Sequence, residues 1–167
     1  MSLRTDLGKL AAGHWQNEYV NIRPITTESD LIYLGFDCQL TDEQQALVNP
    51  FWFSIGRAYL NRENNYPCII YNGQDDPVGF INLSKWFGSG DAYSWSYYVD
   101  KNQQGKGYGY GRHAAELAIH ILKAADPEKM IKLSTEARNV KAQTLYLSLG
   151  FEKLAEMDGD DLVFGIM

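Results

Sequence analysis

The sequence predicts an α/β protein of the α+β type, built on a mixed, mostly antiparallel sheet of about seven strands with helices on both faces. Three observations carry this. Segments of short-period alternation are more numerous than those with helical spacing, three of them follow one another in mid-chain with only turns between, and the last two close the chain as a hairpin.

Residues 1–17 are mixed in character, with Gly13 breaking any helix, and predict a loosely attached lead-in to a single domain over 18–167. Residues 19–23 alternate apolar and polar as a first strand, stopped by Pro24. Thr26-Thr27-Glu28-Ser29-Asp30 is a capped helix start, with Leu31, Ile32, Leu34 and Phe36 on its apolar side. Thr41-Asp42-Glu43 repeats the signal ahead of Ala46, Leu47 and Val48, and Pro50 interrupts that helix or begins another.

Residues 51–60, F-W-F-S-I-G-R-A-Y-L, predict a core helix that buries Ile55 with Phe51 or Trp52 and Tyr59; the alternative is the wall of a substrate cleft. Residues 68–71 and 78–83 flank the turn Asn72-Gly73-Gln74-Asp75-Asp76 as a hairpin. A fourth strand spans 92–99. Tyr110, Ala114, Leu117, Ala118, Ile121 and Leu122 then recur at helical spacing before Asp126-Pro127. Residues 130–135 are a fifth strand, Asn139 caps a helix ending at Gly150, and 151–157 with 162–167 form the closing hairpin.

Between the fourth strand and the long helix lies Gln104-Gly105-Lys106-Gly107-Tyr108-Gly109. A glycine loop here turns main-chain N–H groups outward, and the first turn of the helix adds unpaired donors and the positive end of its dipole, so an anion is the expected guest. It is neither G-x-x-x-x-G-K-[ST], since Gly107 follows Lys106, nor G-x-G-x-x-G, since Tyr110 stands at the third glycine.

The 167 residues carry a formal charge of −6, which argues against nucleic acid or an anionic membrane as partner and favours a cationic substrate. No apolar run reaches spanning length and no leader is evident, so a cytoplasmic protein is expected. Cys38 and Cys68 are expected to be buried reduced thiols, and neither lies near a motif that would make it a nucleophile. His14, His113 and His120 have no metal-ligand spacing, so no metal site is expected.

The pattern Gln104-x-x-Gly107-x-Gly109 after a strand resembles the acetyl-CoA-binding motif of the GCN5-related N-acetyltransferases. Asn139-x-x-Ala142-x-x-Leu145-Tyr146-x-x-Leu149-Gly150-Phe151 resembles that family's second signature at the expected separation, and the order of elements from Tyr19 to Met167 is similar to the family's. The resemblance is nearest to the spermine/spermidine (diamine) branch. It implies a three-layer acyl-CoA N-acyltransferase fold, with acetyl-CoA as cosubstrate and the primary amine of a small molecule as acceptor. It places the pyrophosphate on Gln104, Gly105, Lys106, Gly107, Tyr108 and Gly109, and the pantetheine arm along Tyr97, Tyr98 and Val99 with Asn139 beside it. Tyr146 would be the catalytic proton donor to the departing thiolate.

The polyamine branch often carries an acidic residue shortly before the motif. Here the corresponding stretch is Tyr93-Ser94-Trp95-Ser96, so no base is assigned, with Asp91, Asp100, Glu136 and Glu28 as candidates. Alternatives are acetylation of a protein N-terminus or lysine, or a silent acyl-CoA-binding regulatory domain. Dimers are common in the family, which leaves a homodimer as an open expectation.

Overall fold

The computed structural model describes residues 1–167. Seven strands form one sheet: β1 (Val20–Pro24), β2 (Asn65–Asn72), β3 (Pro77–Lys85), β4 (Ala92–Val99), β5 (Met130–Thr135), β6 (Glu152–Asp158) and β7 (Asp161–Ile166). Their order is β1-β2-β3-β4-β5-β7-β6, and every neighbouring pair is antiparallel except β4 and β5. The helices are α1 (Leu3–Leu7), α2 (Glu28–Ile32), α3 (Asp42–Leu47), α4 (Phe51–Leu60), α5 (Tyr110–Ala125) and α6 (Val140–Ser148).

Alternation along the strands divides the interior. Tyr93 and Trp95 of β4 join Ala114, Leu117, Ala118 and Ile121 of α5 and Tyr146 of α6 in the main core. On the opposite face Tyr98, Phe80, Ile69 and Leu34 form a smaller cluster, closed by Val48 and Phe51 from the α2–α4 side. Thr27 and Thr41 both make complete capping boxes, which start α2 and α3 where the sequence predicts.

Three expectations fail, each for a physical reason. The lead-in is not loose: Leu3 and Leu7 are buried in the main core, Ser2 caps α1, and Asp6 accepts from the Tyr93 hydroxyl at 2.5 Å. A short capped turn with two leucines one helical turn apart is enough to dock it. Helix α4 is not a core helix: of its ten residues only Ser54 is buried, while Trp52, Phe53, Tyr59 and Leu60 are exposed; Phe51 packs on the smaller cluster, Arg57 lines a cavity, and much of the rest faces solvent. Around α2 only Leu34 is buried; Leu31, Ile32 and Phe36 remain exposed, since the helix yields at Tyr33 to a wider turn over Tyr33–Asp37 that rotates the apolar stripe off the sheet. Of the cysteines, Cys68 is buried and Cys38 half-buried, both reduced.

Candidate active site

The site begins where the sheet comes apart. β4 and β5 pair only through Ala92 with Met130 and Tyr93 with Ile131, so beyond Tyr93 nothing pairs with that side of β4. The main-chain groups left there follow from the β3 register. Asp100 N–H donates to Val78 C=O, which makes Val99 and Gly79 a non-hydrogen-bonded pair, and likewise Tyr97 and Ile81; the N–H and C=O of Tyr97 and Val99 therefore point away from β3 into the opening. A sheet edge buried inside a fold demands partners.

One of these groups is already satisfied. The Val99 carbonyl accepts from Gln104 Nε2 at 2.8 Å and from Gln44 Nε2 at 3.0 Å. Gln104 thus folds back to brace the strand end, and the Val99 N–H is left facing the opening.

The loop that follows adopts positive φ at Gly105, Gly107 and Gly109. A Cβ at Gly105 or Gly107 would meet nothing within 4 Å, so their requirement is conformational and the space above them is open. Gly109 occupies the N-cap of α5 in the left-handed region and supplies no side chain to cap it, leaving the first-turn N–H groups of a sixteen-residue helix free for an anion.

Two cavities meet in the opening. One, of about 520 Å³, is lined by Gly105, Gly107, Tyr108 and Gly109, by Val99 and Gln104, and by Thr41, Gln44, Arg112 and Lys141. The other, of about 450 Å³, is lined by Ser84, Ser94 and Ser96 on the sheet, Arg57 of α4, Trp86 and Phe87 after β3, and Glu136, Asp158 and Asp161. They share six residues: Leu47, Val48, Tyr97, Tyr98, Asn139 and Tyr146.

Each of the shared polar residues has a clear support. Asn139 Oδ1 accepts from Ala142 N–H at 3.2 Å and so caps α6 while standing at the junction. The Tyr97 hydroxyl donates to Gly111 C=O at 3.0 Å, tying β4 to the first turn of α5. The Tyr98 ring is buried against Phe80 in the smaller cluster. The Tyr146 ring is held by Phe151 and Phe164, each 5.9 Å away between centroids, and burial pushes its phenol up to about 12, so it keeps its proton throughout the neutral range. Burial, and then the proximity of Tyr146, also raise Tyr97.

A family profile described as the acetyltransferase (GNAT) family matches residues 32–151, taking in the opening, the glycine loop and α6. The chain belongs to the GNAT family. As a GNAT protein it is an acetyl-CoA-dependent N-acetyltransferase, and the family motifs read from Gln104 to Gly109 and from Asn139 to Phe151 fall on the two elements that border the shared opening. Comparison with curated proteins finds no match. Among solved structures, the GNAT domain of S. lividans PAT is similar with a TM-score of 0.66 and 14% identity, covering 95% of this chain and 99% of that one. Mycobacterium smegmatis RimJ, solved with CoA-disulfide, has a TM-score of 0.64 at 18% identity over 88% of this chain and 81% of that one. Mutant forms of the spermidine/spermine N-acetyltransferase SpeG from Vibrio cholerae have a TM-score of 0.61 at 15% identity over 89% and 92%. At these identities the likeness is one of fold, and the neighbours are mixed, so the diamine branch is not singled out.

Within this GNAT site, ten of the eleven residues expected from the sequence line the opening or its two cavities. Lys106 is the exception: it is exposed at the tip of the loop, outside the lining, because the positive φ at both flanking glycines turns it outward. Of the candidate bases only Glu136 lines a cavity. Asp91 lies at the surface between Lys85 and Lys129, Asp100 is buried as the cap of the turn after β4, and Glu28 lies outside both linings. Sequence reasoning missed Gln44, Arg57, Asp158 and Asp161. The Thr41-x-x-Gln44 capping box was legible; its reach to Val99 was not. No group of three or more His, Cys, Asp or Glu side chains is placed to hold a metal ion.

Proposed function

We propose that the protein transfers the acetyl group of acetyl-CoA to the primary amine of a small molecule by direct attack. The observation that carries this reading is the meeting of two cavities at Tyr146: one opens onto an anion-binding loop, the other onto carboxylates. In this reading Gly105 to Gly109 and the first turn of α5 hold the diphosphate, with Arg112 and Lys141 adding positive charge. The outward main chain of Tyr97 receives the pantetheine arm as an added strand. Gln44 and Gln104 keep the Val99 carbonyl occupied, so the strand end offers a donor there and no competing acceptor.

Acetyl-CoA supplies an activated acyl group; the chain supplies position and protons. An aliphatic amine has an unperturbed pKa of about 10.4 and must lose a proton before it attacks. Asp161 is suited to draw in the ammonium and take that proton, directly or through water. Burial and the neighbouring charges of Glu136, Asp158 and Asp160 hold its carboxyl above the usual range. The Tyr146 phenol, kept protonated by burial, donates to the departing thiolate. The Val99 N–H stabilises developing negative charge on the carbonyl oxygen.

The acceptor cavity is walled by α3, α4, β3, β4, β5 and the β6–β7 turn, which favours a small molecule over a protein tail. A panel of diamines, spermidine, spermine, simple monoamines and lysine peptides, followed by release of free thiol from acetyl-CoA, tests the reading. Acetylation of small amines in preference to peptides is expected. A protein that binds acetyl-CoA yet responds to no amine would be a silent acyl-CoA-binding domain.

A further inference from the structure

The acceptor cavity has a cation of its own. Arg57, in the last turn of α4, lines it. Its guanidinium lies 3.7 Å from the centre of the Phe87 ring and 5.8 Å from that of Phe53, one helical turn back. Arg23, Arg112 and Arg138 each meet a carboxylate, whereas Arg57 meets none. It is half-buried, and burial pulls against its charge, which aromatic faces offset in part and no carboxylate of the chain offsets. Two aromatic rings flank it and restrict its side chain, which lowers the entropy lost when a bidentate partner arrives.

A different wall has the opposite character. Asp158 and Asp161 face each other across the β6–β7 turn, and neither forms an ion pair. Glu136 beside them is engaged by Arg138. A cavity of about 450 Å³ therefore presents unpaired carboxylates from one element and an unpaired guanidinium from another.

Resting on the acetyl-transfer reading above, we propose that the acceptor is zwitterionic: a primary amine that also carries an anionic group, carboxylate or phosphate, with Arg57 binding the anion and the Asp158–Asp161 pair receiving the ammonium. Such a molecule neutralises both walls at once. A polyamine would satisfy the carboxylates while driving a second ammonium toward Arg57, and a neutral monoamine would leave Arg57 unpaired. The aromatic rings around the guanidinium suit an acceptor whose linker between the two charges is apolar.

The test uses matched acceptors that differ in one group: amino acids, their amides, the decarboxylated amines, and aminoalkyl phosphates, alongside spermidine. Initial rates of thiol release from acetyl-CoA give kcat/KM for each, with wild type, Arg57→Gln and Arg57→Lys. The wild type is expected to favour an anionic acceptor over its neutral match by at least tenfold, with the carboxylate and phosphate arms identifying which anion. Arg57→Gln is expected to collapse that ratio to near one, through KM more than kcat, and Arg57→Lys to restore part of it. Equal or better use of neutral amines or spermidine by the wild type overturns the proposal and leaves acetyl transfer intact. So does an Arg57→Gln variant that keeps the preference. If no member is acetylated by protein that still binds acetyl-CoA, the acetyl-transfer reading falls, and the proposal with it.

Discussion

Gln44 of α3 donates from Nε2 to the carbonyl of Val99 at 3.0 Å while its Oε1 accepts from Thr41 N–H at 2.8 Å. One side chain thus caps a helix and fixes the end of the strand at which the sheet splays. Gln44→Glu keeps the acceptor for Thr41 but sets a carboxylate oxygen against a carbonyl, so it separates the two roles. We expect it to raise KM for acetyl-CoA severalfold with little change in helix capping. Gln44→Ala should do the same and also cost about 1 kcal/mol of stability. Steady-state kinetics and denaturant unfolding of both variants distinguish the roles; unaltered KM in Gln44→Glu would show that the Val99 contact does not shape the site.

The loop assignment predicts a loss confined to cofactor binding. Gly107 has φ of 78° with open space where a side chain would stand, so Gly107→Glu forces a strained conformation, costing about 1–2 kcal/mol, and adds a negative charge to the anion site. Acetyl-CoA affinity measured calorimetrically should fall at least tenfold. Unchanged affinity would remove the loop from the site.

Asp161 is held above the ordinary carboxylate range by burial first and by Glu136, Asp158 and Asp160 next. A raised folded-state value means that the native protein binds the proton more tightly than the unfolded chain, so this group lowers stability as pH rises through that interval. Asp161→Asn should therefore be as stable as wild type or more so at pH 7, while kcat/KM for the amine falls about tenfold or more and the acid limb of its pH profile moves. Loss of stability at neutral pH, with activity kept, would contradict this.

Asp6 has the opposite sign. Burial raises its carboxyl, but the Tyr93 hydroxyl and Lys9 outweigh burial and hold it below the usual range. Its contribution is present above the unfolded value of about 3.9 and is lost as pH falls through the lower folded one. Tyr93→Phe should cost about 1–2 kcal/mol at pH 7 and soften the acid unfolding transition. If urea midpoints of wild type and variant coincide at pH 7, α1 is not fastened by this bond.

What the sequence revealed and what it hid divide along the range of the interactions. The long helix, the glycine loop, the Asn139 cap and the closing hairpin are written in spacings of a few residues, and the structure has all of them. The role of residues 3–7 depends on Tyr93, more than eighty positions away, and could not be seen locally. The aromatic content of residues 51–60 suggested an interior because pattern alone does not distinguish rings turned to a core from rings left in solvent; only Arg57 of this helix lines the cavity. Arg57, Asp158 and Asp161 lie in no motif; they gain meaning only when the splayed strands bring α4 and the β6–β7 turn to one cavity.

The most direct test of the account is turnover by Tyr146→Phe at saturating acetyl-CoA and amine, measured beside acetyl-CoA affinity. The ring stays packed on Phe151 and Phe164 while the hydroxyl at the junction is lost. With Tyr146 as the proton donor, kcat is expected to fall about 10²-fold, in the range of acid–base catalysis, with the dissociation constant for acetyl-CoA within about threefold of wild type. Undiminished kcat would contradict that role.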